Sequence, residues 1–219
     1  MSSEVEICNL ALTNIGAATI QSLTPTTETE ESRKCNLYYA QTRDAVLADH
    51  PWGFATKLGV SLSLLTEETK GWTYTYSYPT DCLRALEVTD DSGSQNQYTG
   101  SYIKNGLWYT REGELIAPRI DFEKCLSADN SSNLLVTNQG TARLNYIARV
   151  TNTNLFSSQF VEMLSFKLAG KLAIPLKKDG QMKDQMNQEY ALLHEKAATS
   201  DAEEAHINQS DVSSFQAAR

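Results

Sequence analysis

The most regular apolar pattern in the chain lies in residues 156–176, FSSQFVEMLSFKLAGKLAIPL. Four large apolar residues recur there every four positions, so they share one side of a helix. They are Phe160, Leu164, Leu168 and Leu172. Other apolar residues cover most of the remaining surface, which predicts a central helix, buried on more than one side, over residues 156–174. Pro175 lacks an amide hydrogen and is expected to end or kink this helix.

Three further helices are predicted. Apolar residues with helical spacing predict a first helix over residues 3–15. A capping-box pattern formed by Thr27 and Glu30 predicts that a second helix starts there, and it is expected to end at Asp49. Residues 181–205 are polar with one apolar side, which predicts a long amphipathic helix. That apolar side consists of Met182, Met186, Tyr190, Leu193 and Ala197.

Between these helices the apolar period falls to two residues, which is typical of strands. Residues 54–65 and 72–78 each show strict alternation, so each predicts a strand with one packed face. The alternating residues are Leu58, Val60, Leu62 and Leu64 in the first stretch and Trp72, Tyr74, Tyr76 and Tyr78 in the second. Further strands are predicted at residues 83–89, 107–110, 114–117, 134–137 and 142–150, with a hairpin turn at residues 104–106.

The sequence therefore predicts an α+β protein in which a β-rich domain is inserted into a helical one. The N-terminal helix pair (residues 1–53) and the two long C-terminal helices (residues 151–205) are expected to form an α-helical bundle. Residues 54–150 are expected to form the antiparallel β-rich domain. Residues 206–219 have no apolar period, which predicts an extended C-terminal arm.

Charge and composition exclude several classes of protein. The net charge of −8 and the pI near 4.9 argue against a reader of DNA or RNA sequence, because such proteins bind through basic surfaces. Glu162, Lys167 and Lys171 would be costly at the centre of a bilayer, so no membrane span is predicted. The N-terminus lacks the pattern of a signal peptide. The four cysteines include no closely spaced pair and are expected to be reduced, as in a protein made in a cytoplasm.

The residues suggest no catalytic chemistry. The sequence contains no G-x-S-x-G, G-x-x-x-x-G-K-[ST], G-x-G-x-x-G or H-E-x-x-H motif. His50, His194 and His206 have no partner at the spacing of metal ligands. Glu28, Glu30 and Glu31 fit the N-terminus of a helix, where negative charge is favoured. No catalytic residue, cofactor site or metal site is predicted.

The aromatic residues at positions 72–78, with Trp108 and Tyr109, could form a stacking platform for a sugar or a nucleic acid. Such platforms usually alternate with basic residues, and no lysine or arginine lies between Trp72 and Leu83. A packed sheet face is therefore the better interpretation.

Five stretches, taken in order, resemble the tail tubular protein A family, the head-to-tail adaptors of short-tailed bacteriophages. They are N-L-A-L-x-x-I-G at residues 9–16, A-V-L-x-x-H-P-W-x-F-A at 45–55, Y-x-Y-P-x-D-C-L-R at 76–84, L-A-x-x-L-A-x-P-L at 168–176 and F-x-x-A-R at 215–219. The similarity covers almost the whole chain. Each stretch is a packing signature, so the order and spacing of the five carry the resemblance.

The resemblance implies a structural protein of the virion tail, made in the host cytoplasm. A twelve-membered ring of copies would lie between the portal protein and the tail nozzle, with contacts to the nozzle and to tail fibres. Double-stranded DNA would pass through the ring without sequence recognition. The C-terminal arm would reach the portal, with Val212, Phe215 and Arg219 as binding residues, because an apolar anchor and a nearby guanidinium are typical of interface hot spots.

The residues alone also allow two other classes of function. A tail-associated hydrolase of cell wall or polysaccharide would need two carboxylates facing one cleft. A host-encoded binding module would be a monomer with a deep apolar pocket.

Overall fold

The computed structural model describes residues 3–24, 29–89, 102–104, 107–109 and 120–204, and at 102–104, 107–109 and 202–204 it describes the backbone only. The described chain is a mixed α+β protein with four α-helices and antiparallel sheets. It divides into two compact units. The helical unit comprises the residues up to Val46 and those from Asn152 onward, and the β unit comprises Leu47–Thr151.

Helix α1 spans Glu4–Asn14 and begins with a complete capping box. The Ser3 side chain accepts a hydrogen bond from the Glu6 amide at 3.2 Å, and the Glu6 carboxylate accepts one from the Ser3 amide at 2.7 Å. These two bonds satisfy amides that have no partner within the helix. Gly16, at φ +63°, ends the helix in a left-handed conformation that favours glycine.

Helix α2 spans Glu30–Asp49, and its end at Asp49 matches the sequence pattern. Its first turn is held by Thr29, whose hydroxyl accepts a hydrogen bond from the Ser32 amide at 3.2 Å. Thr27, the residue predicted to start this helix, lies outside the described residues. The side of α2 that is buried carries Cys35, Tyr39, Thr42 and Val46.

Helix α3 spans Ser158–Leu172 and starts at Ser157, whose hydroxyl accepts a hydrogen bond from the Phe160 amide at 3.2 Å. The predicted end at residue 174 is wrong, because regular α-geometry stops at Leu172. A π-helical turn, Ala173–Lys177, follows and carries Pro175. Without an amide hydrogen, Pro175 cannot make the usual bond to the carbonyl four residues earlier, so a wider turn forms there.

Helix α4 spans Gly180–Glu204. Asp179 precedes it and its carboxylate accepts a hydrogen bond from the Met182 amide at 3.0 Å. Its buried side packs on α3, which also packs on α1. The helices approach closely at Gly170, because a methyl group added there would lie 3.1 Å from the Asn187 side chain. The buried residues of α4 are Met186, Tyr190 and Ala197.

The described residues of the β unit form a three-stranded and a four-stranded antiparallel sheet and a hairpin. Strands β1, β9 and β4 form the first sheet in that order; they are Thr56–Ser61, Arg143–Ala148 and Cys82–Thr89. Strands β2, β3, β8 and β7 form the second; they are Leu64–Leu65, Tyr74–Ser77, Asn133–Thr137 and Phe122–Leu126. Strands β5 (Tyr102–Lys104) and β6 (Leu107–Tyr109) pair as a hairpin. The strand predicted at 114–117 lies outside the described residues.

The single strand predicted at residues 54–65 is wrong. This stretch forms β1 and β2, which belong to different sheets. Within β1 the pairing with β9 shifts register between Lys57 and Val60, at Gly59, whose φ is +61°. A bulge breaks the alternation of side chains between faces. Leu58 is consequently 66% exposed, and Leu64 in the second strand is 57% exposed.

The two larger sheets share one apolar cluster. Its buried members are Tyr76, Val88, Leu135, Ala142, Leu144, Tyr146 and Ala148. Tyr74 and Tyr78 pack against it, as the alternation predicts. The expectation of only one packed face is wrong, because Thr75, Leu134 and Val136 are buried on the opposite face of the same strands. The two central strands of this sheet, β3 and β8, thus carry buried residues on both faces.

Candidate interaction site

The sequence places the candidate binding residues at the C-terminus. Val212, Phe215 and Arg219 lie outside the described residues, so their part in portal binding stays a prediction. The described helical unit holds the other predicted residues and a set of polar anchors.

The four residues that define the central helix, Phe160, Leu164, Leu168 and Leu172, are each 0% exposed. Phe160 also packs against Phe156, with ring centroids 4.8 Å apart. Buried side chains of this kind cannot contact a partner protein, so α3 serves as the support around which the helical unit is built. Contacts to partners must come from the outward-facing residues of the unit.

Asp81 lies at the centre of a polar cluster in the described β unit. Its carboxylate accepts hydrogen bonds from Lys57 Nζ at 2.7 Å and from the Tyr146 hydroxyl at 3.0 Å. Burial works against the charged form of Asp81, but these two bonds outweigh it and hold the pKa of the carboxyl below its usual value. Asp81 is therefore ionised at neutral pH and fixed in place.

Asp129 is held in a tight loop by its serine neighbours. Hydrogen bonds from the Ser127 hydroxyl, the Ser131 amide and the Ser131 hydroxyl lower the pKa of Asp129 to about 2. A general acid needs the opposite shift, because it must keep its proton near neutral pH. Neither Asp81 nor Asp129 has the properties of the acid that a glycosidase requires.

Two of the cysteines meet in the helical core, which the sequence spacing does not indicate. Cys8 on α1 and Cys35 on α2 are both 0% exposed. The interaction with the Cys35 thiol, and burial after it, raise the pKa of the Cys8 thiol above its usual value, so this thiol is protonated at neutral pH. All four cysteines are free. Within the described ranges, no group of three or more His, Cys, Asp or Glu side chains is arranged to hold a metal ion.

The aromatic residues at positions 72–78 mostly make contacts within the β unit. The Tyr76 hydroxyl donates to the Gln139 carbonyl at 2.8 Å, and Lys124 lies 4.6 Å above the Tyr78 ring. Trp72 and Tyr74 are half-buried and line a cavity of about 750 Å³ beside the loop that joins β2 to β3. Most of the set is thus used in packing.

Three polar residues of the described motif stretches, Asn9, Asp81 and Arg84, are engaged within their own unit. Asn9 both donates to and accepts from the Ile20 backbone, at 2.9 and 2.7 Å. Asp81 binds Lys57 and Tyr146, and the Arg84 guanidinium contacts the Asp49 carbonyl at 3.5 Å. These residues hold the chain in shape, and the sequence alone gave no sign of their partners.

Among the described helices, none combines the length and the apolar character needed to cross a membrane. No protein-family model and no curated protein matches this chain. The resemblance to the adaptor family therefore depends on the motif stretches and their order.

Proposed function

We propose that this chain is a structural head-to-tail adaptor of a short-tailed phage. Copies of it assemble as a ring, twelve-membered by the resemblance, between the portal protein and the tail nozzle, with tail fibres as further neighbours. The genome passes through the lumen without sequence recognition. The protein is made in the host cytoplasm and ends in the virion tail.

One observation carries this proposal: in the four described motif stretches, most of the residues that resemble the family help to build the two units. Trp52, Leu168 and Leu172 are buried, and Asn9 and Asp81 are anchored by hydrogen bonds. A protein whose characteristic residues, within the described ranges, mostly maintain its shape is suited to a mechanical role. An enzyme keeps some of its characteristic residues free to contact substrate.

We also propose that the four helices form one bundle. Besides the packing of α3 on α1 and α4, α2 contacts α1 through Cys35 and Cys8 and through Arg43, whose guanidinium lies 3.8 Å from the Glu4 carboxylate. A helical bundle with an inserted β unit offers two different kinds of surface, one helical and one made of strands. An adaptor needs such a pair because it binds different proteins above and below.

The proposal is tested by binding of the full-length protein to the portal protein of the same phage, followed by co-sedimentation. Deletion of residues 207–219 is expected to leave the melting temperature nearly unchanged and to weaken portal binding sharply. Phe215→Ala and Arg219→Ala are expected to act in the same direction, and Gln216→Ala serves as the matched control. Unchanged portal affinity after the deletion would show that the arm is not the binding segment, and absence of binding by the full-length protein would contradict the adaptor role.

A hydrolase would release soluble fragments from its substrate, whereas an adaptor would not. Incubation of this protein with peptidoglycan or capsular polysaccharide is therefore expected to release no soluble fragments above background. Release that disappears on substitution of a single Asp or Glu would replace the adaptor proposal with the hydrolase.

A further inference from the structure

The cavity beside the loop that joins β2 to β3 has the size of a ligand site. It measures about 750 Å³, and cavities that hold small ligands typically measure about 300–1,000 Å³. Its lining comes from β2, from β3 and from the loop between them, so it lies within the β unit. No role in the adaptor proposal has been assigned to this cavity.

Hydrogen bonds fix the loop around the cavity. The Trp72 amide donates to the Thr69 carbonyl at 3.1 Å, and the hydroxyls of Thr69 and Thr75 lie 3.3 Å apart. The Glu67 carboxylate accepts a hydrogen bond from the Ala128 amide, in the turn between β7 and β8, at 2.9 Å. A site whose walls are already held in place loses less conformational entropy when a ligand binds.

Two aromatic side chains supply apolar surface to the cavity. Trp72 and Tyr74 both line it, and both are half-buried, so part of each ring remains accessible. The Tyr74 ring lies close to Gly140, where an added Cβ would be 3.1 Å from it, and this contact limits its movement. The negative face of such a ring attracts weakly positive C–H groups.

The polar groups around the cavity include both donors and acceptors. Glu67 and Glu68 contribute carboxylates, Lys70 contributes an ammonium group and Thr69 contributes a hydroxyl. Glu68 and Lys70 are exposed, and neither forms an ion pair within the part of the chain that the structure describes. The three charged side chains leave one net negative charge at the cavity.

This mixture of groups narrows the chemical class of the ligand. Two carboxylates would repel a phosphate or a nucleic acid, and Lys70 would repel a simple cation. An apolar ligand would take the charged groups out of water without giving them partners, which is costly. A neutral sugar has hydroxyls that both donate and accept, and it has C–H faces that pack on aromatic rings.

We propose that this cavity binds a neutral saccharide. Trp72 and Tyr74 provide the surface on which a sugar ring stacks. Glu67 and Glu68 accept hydrogen bonds from the sugar hydroxyls, and Lys70 donates to them. This inference adds a binding function to the proposed structural role and does not depend on it, because the residues involved all belong to one loop and the strands beside it.

Nuclear magnetic resonance of the full-length protein tests the site. The indole N–H signal of Trp72 is identified by its loss in Trp72→Phe. Neutral trisaccharides of glucose, galactose, mannose and N-acetylglucosamine are then added in turn as probes. At least one of them is expected to shift this signal in a saturable way, with a dissociation constant in the millimolar range or below. If none of them shifts the signal at its highest soluble concentration, the proposal is overturned.

Substitutions give the second arm of the experiment, with affinity measured by saturation transfer to the sugar. Trp72→Ala is expected to weaken binding about tenfold. Glu68→Gln is expected to weaken it about threefold, because an amide accepts a weaker hydrogen bond than a carboxylate. Glu68 is exposed, so this variant keeps its melting temperature and tests the site even if Trp72→Ala does not fold.

Glu123→Gln, at an exposed glutamate of β7 outside the lining of the cavity, is the matched control and should bind the sugar unchanged. Affinity that is the same in Glu68→Gln and in the folded Trp72→Ala as in this control would place the sugar elsewhere and overturn the proposal.

The same titration with arginine amide, inorganic phosphate and a neutral tripeptide tests the other classes of ligand. A Trp72 signal that shifts with one of these probes and with no sugar would assign the cavity to that class and overturn the saccharide. Sugar binding and portal binding are measured separately. A failure of the first would therefore leave the adaptor proposal as it stands, and a failure of the second would leave the saccharide site.

Discussion

The apolar pattern of the sequence predicts which residues are buried more accurately in the helical unit than in the β unit. In α3, the four residues spaced every four positions are all completely buried. In the β unit, an alternating stretch of equal regularity gives an exposed Leu58 and an exposed Leu64. In a helix, the spacing of residues within one segment decides which of them share a side. In a strand, the face on which a residue is buried also depends on the register with a partner strand far away in the sequence. Here the bulge at Gly59 changes that register.

The two units also differ in how they are held together. The helical unit depends on close approach between apolar helices, for example between Gly170 on α3 and Asn187 on α4. The β unit adds polar anchors between segments far apart in sequence, such as Asp81 with Lys57 and Tyr146. Substitutions in the first unit should therefore act through packing, and substitutions at the anchors of the second should depend on pH.

The largest expected effect is that of Leu168→Ala in the helical unit. Removing a fully buried leucine is expected to lower the free energy of unfolding by about 2–5 kcal/mol, because it loses contacts and leaves a cavity. The urea midpoint, followed by helical circular dichroism, measures this change. Leu192→Ala, at a residue 55% exposed on α4, is the control and should shift the midpoint far less. Equal shifts would contradict the central position of α3.

A smaller loss is expected for Gly170→Leu. An added Cβ would already lie 3.1 Å from Asn187, so a leucine side chain must push α4 away from α3. The expected cost is about 1–3 kcal/mol in the free energy of unfolding, in line with overpacked cores. Gly180→Leu, where no atom lies within 4 Å of an added Cβ, is the control in the same urea titration. If Gly170→Leu unfolds no earlier than this control, the close approach is not needed.

Asp81→Asn tests the polar anchors of the β unit and their pH dependence. At pH 7 the loss of the bonds to Lys57 and Tyr146 is expected to cost about 1 kcal/mol, because the site is partly exposed. The pKa of Asp81 is lower in the folded protein, so its charge stabilises the fold above the unfolded-state pKa of about 3.9 and this contribution disappears as the pH falls through the lower folded value.

The difference between Asp81→Asn and the unchanged protein should therefore be constant above about pH 5 and shrink below pH 3.9. Urea titrations across this range measure it. Asp184→Asn, at an exposed residue of α4, is the control. A difference that grows as the pH falls would mean that Asp81 is not a stabilising carboxylate.

The smallest effect is expected for Leu58→Ala. The alternating pattern alone would make this leucine part of the core and the substitution costly. Because Leu58 is 66% exposed after the bulge, the change in the free energy of unfolding should stay below about 0.5 kcal/mol. A loss above about 2 kcal/mol in a urea titration would restore the alternating strand and remove the bulge from β1.

The same contrast explains how much of the fold the sequence predicts. Helices α1 to α4 follow from spacing and caps within one segment, and each begins within a few residues of its predicted start. Strand β7 was missed because Lys124 interrupts its apolar face, and only the Tyr78 ring beneath it explains that lysine. The π-helical turn depends on how the chain accommodates Pro175, which no periodicity describes.

Which residues of α3 and its π-helical turn face outward was less predictable than the fold. Ile174 looks like a core residue in the sequence, and only its exposure of 49% separates it from the buried Leu172 and Ala173. The meeting of Cys8 and Cys35 has no sequence signal either, since it depends on how α1 and α2 face each other. Surfaces and distant pairs arise from tertiary packing, which local patterns do not contain.

Electron microscopy of the purified protein mixed with portal tests the central claim most directly. The adaptor proposal predicts ring-shaped particles seated on the portal, formed from many copies of this chain and lost when residues 207–219 are deleted. Portal particles that look the same with and without this protein, at every concentration tried, would contradict it.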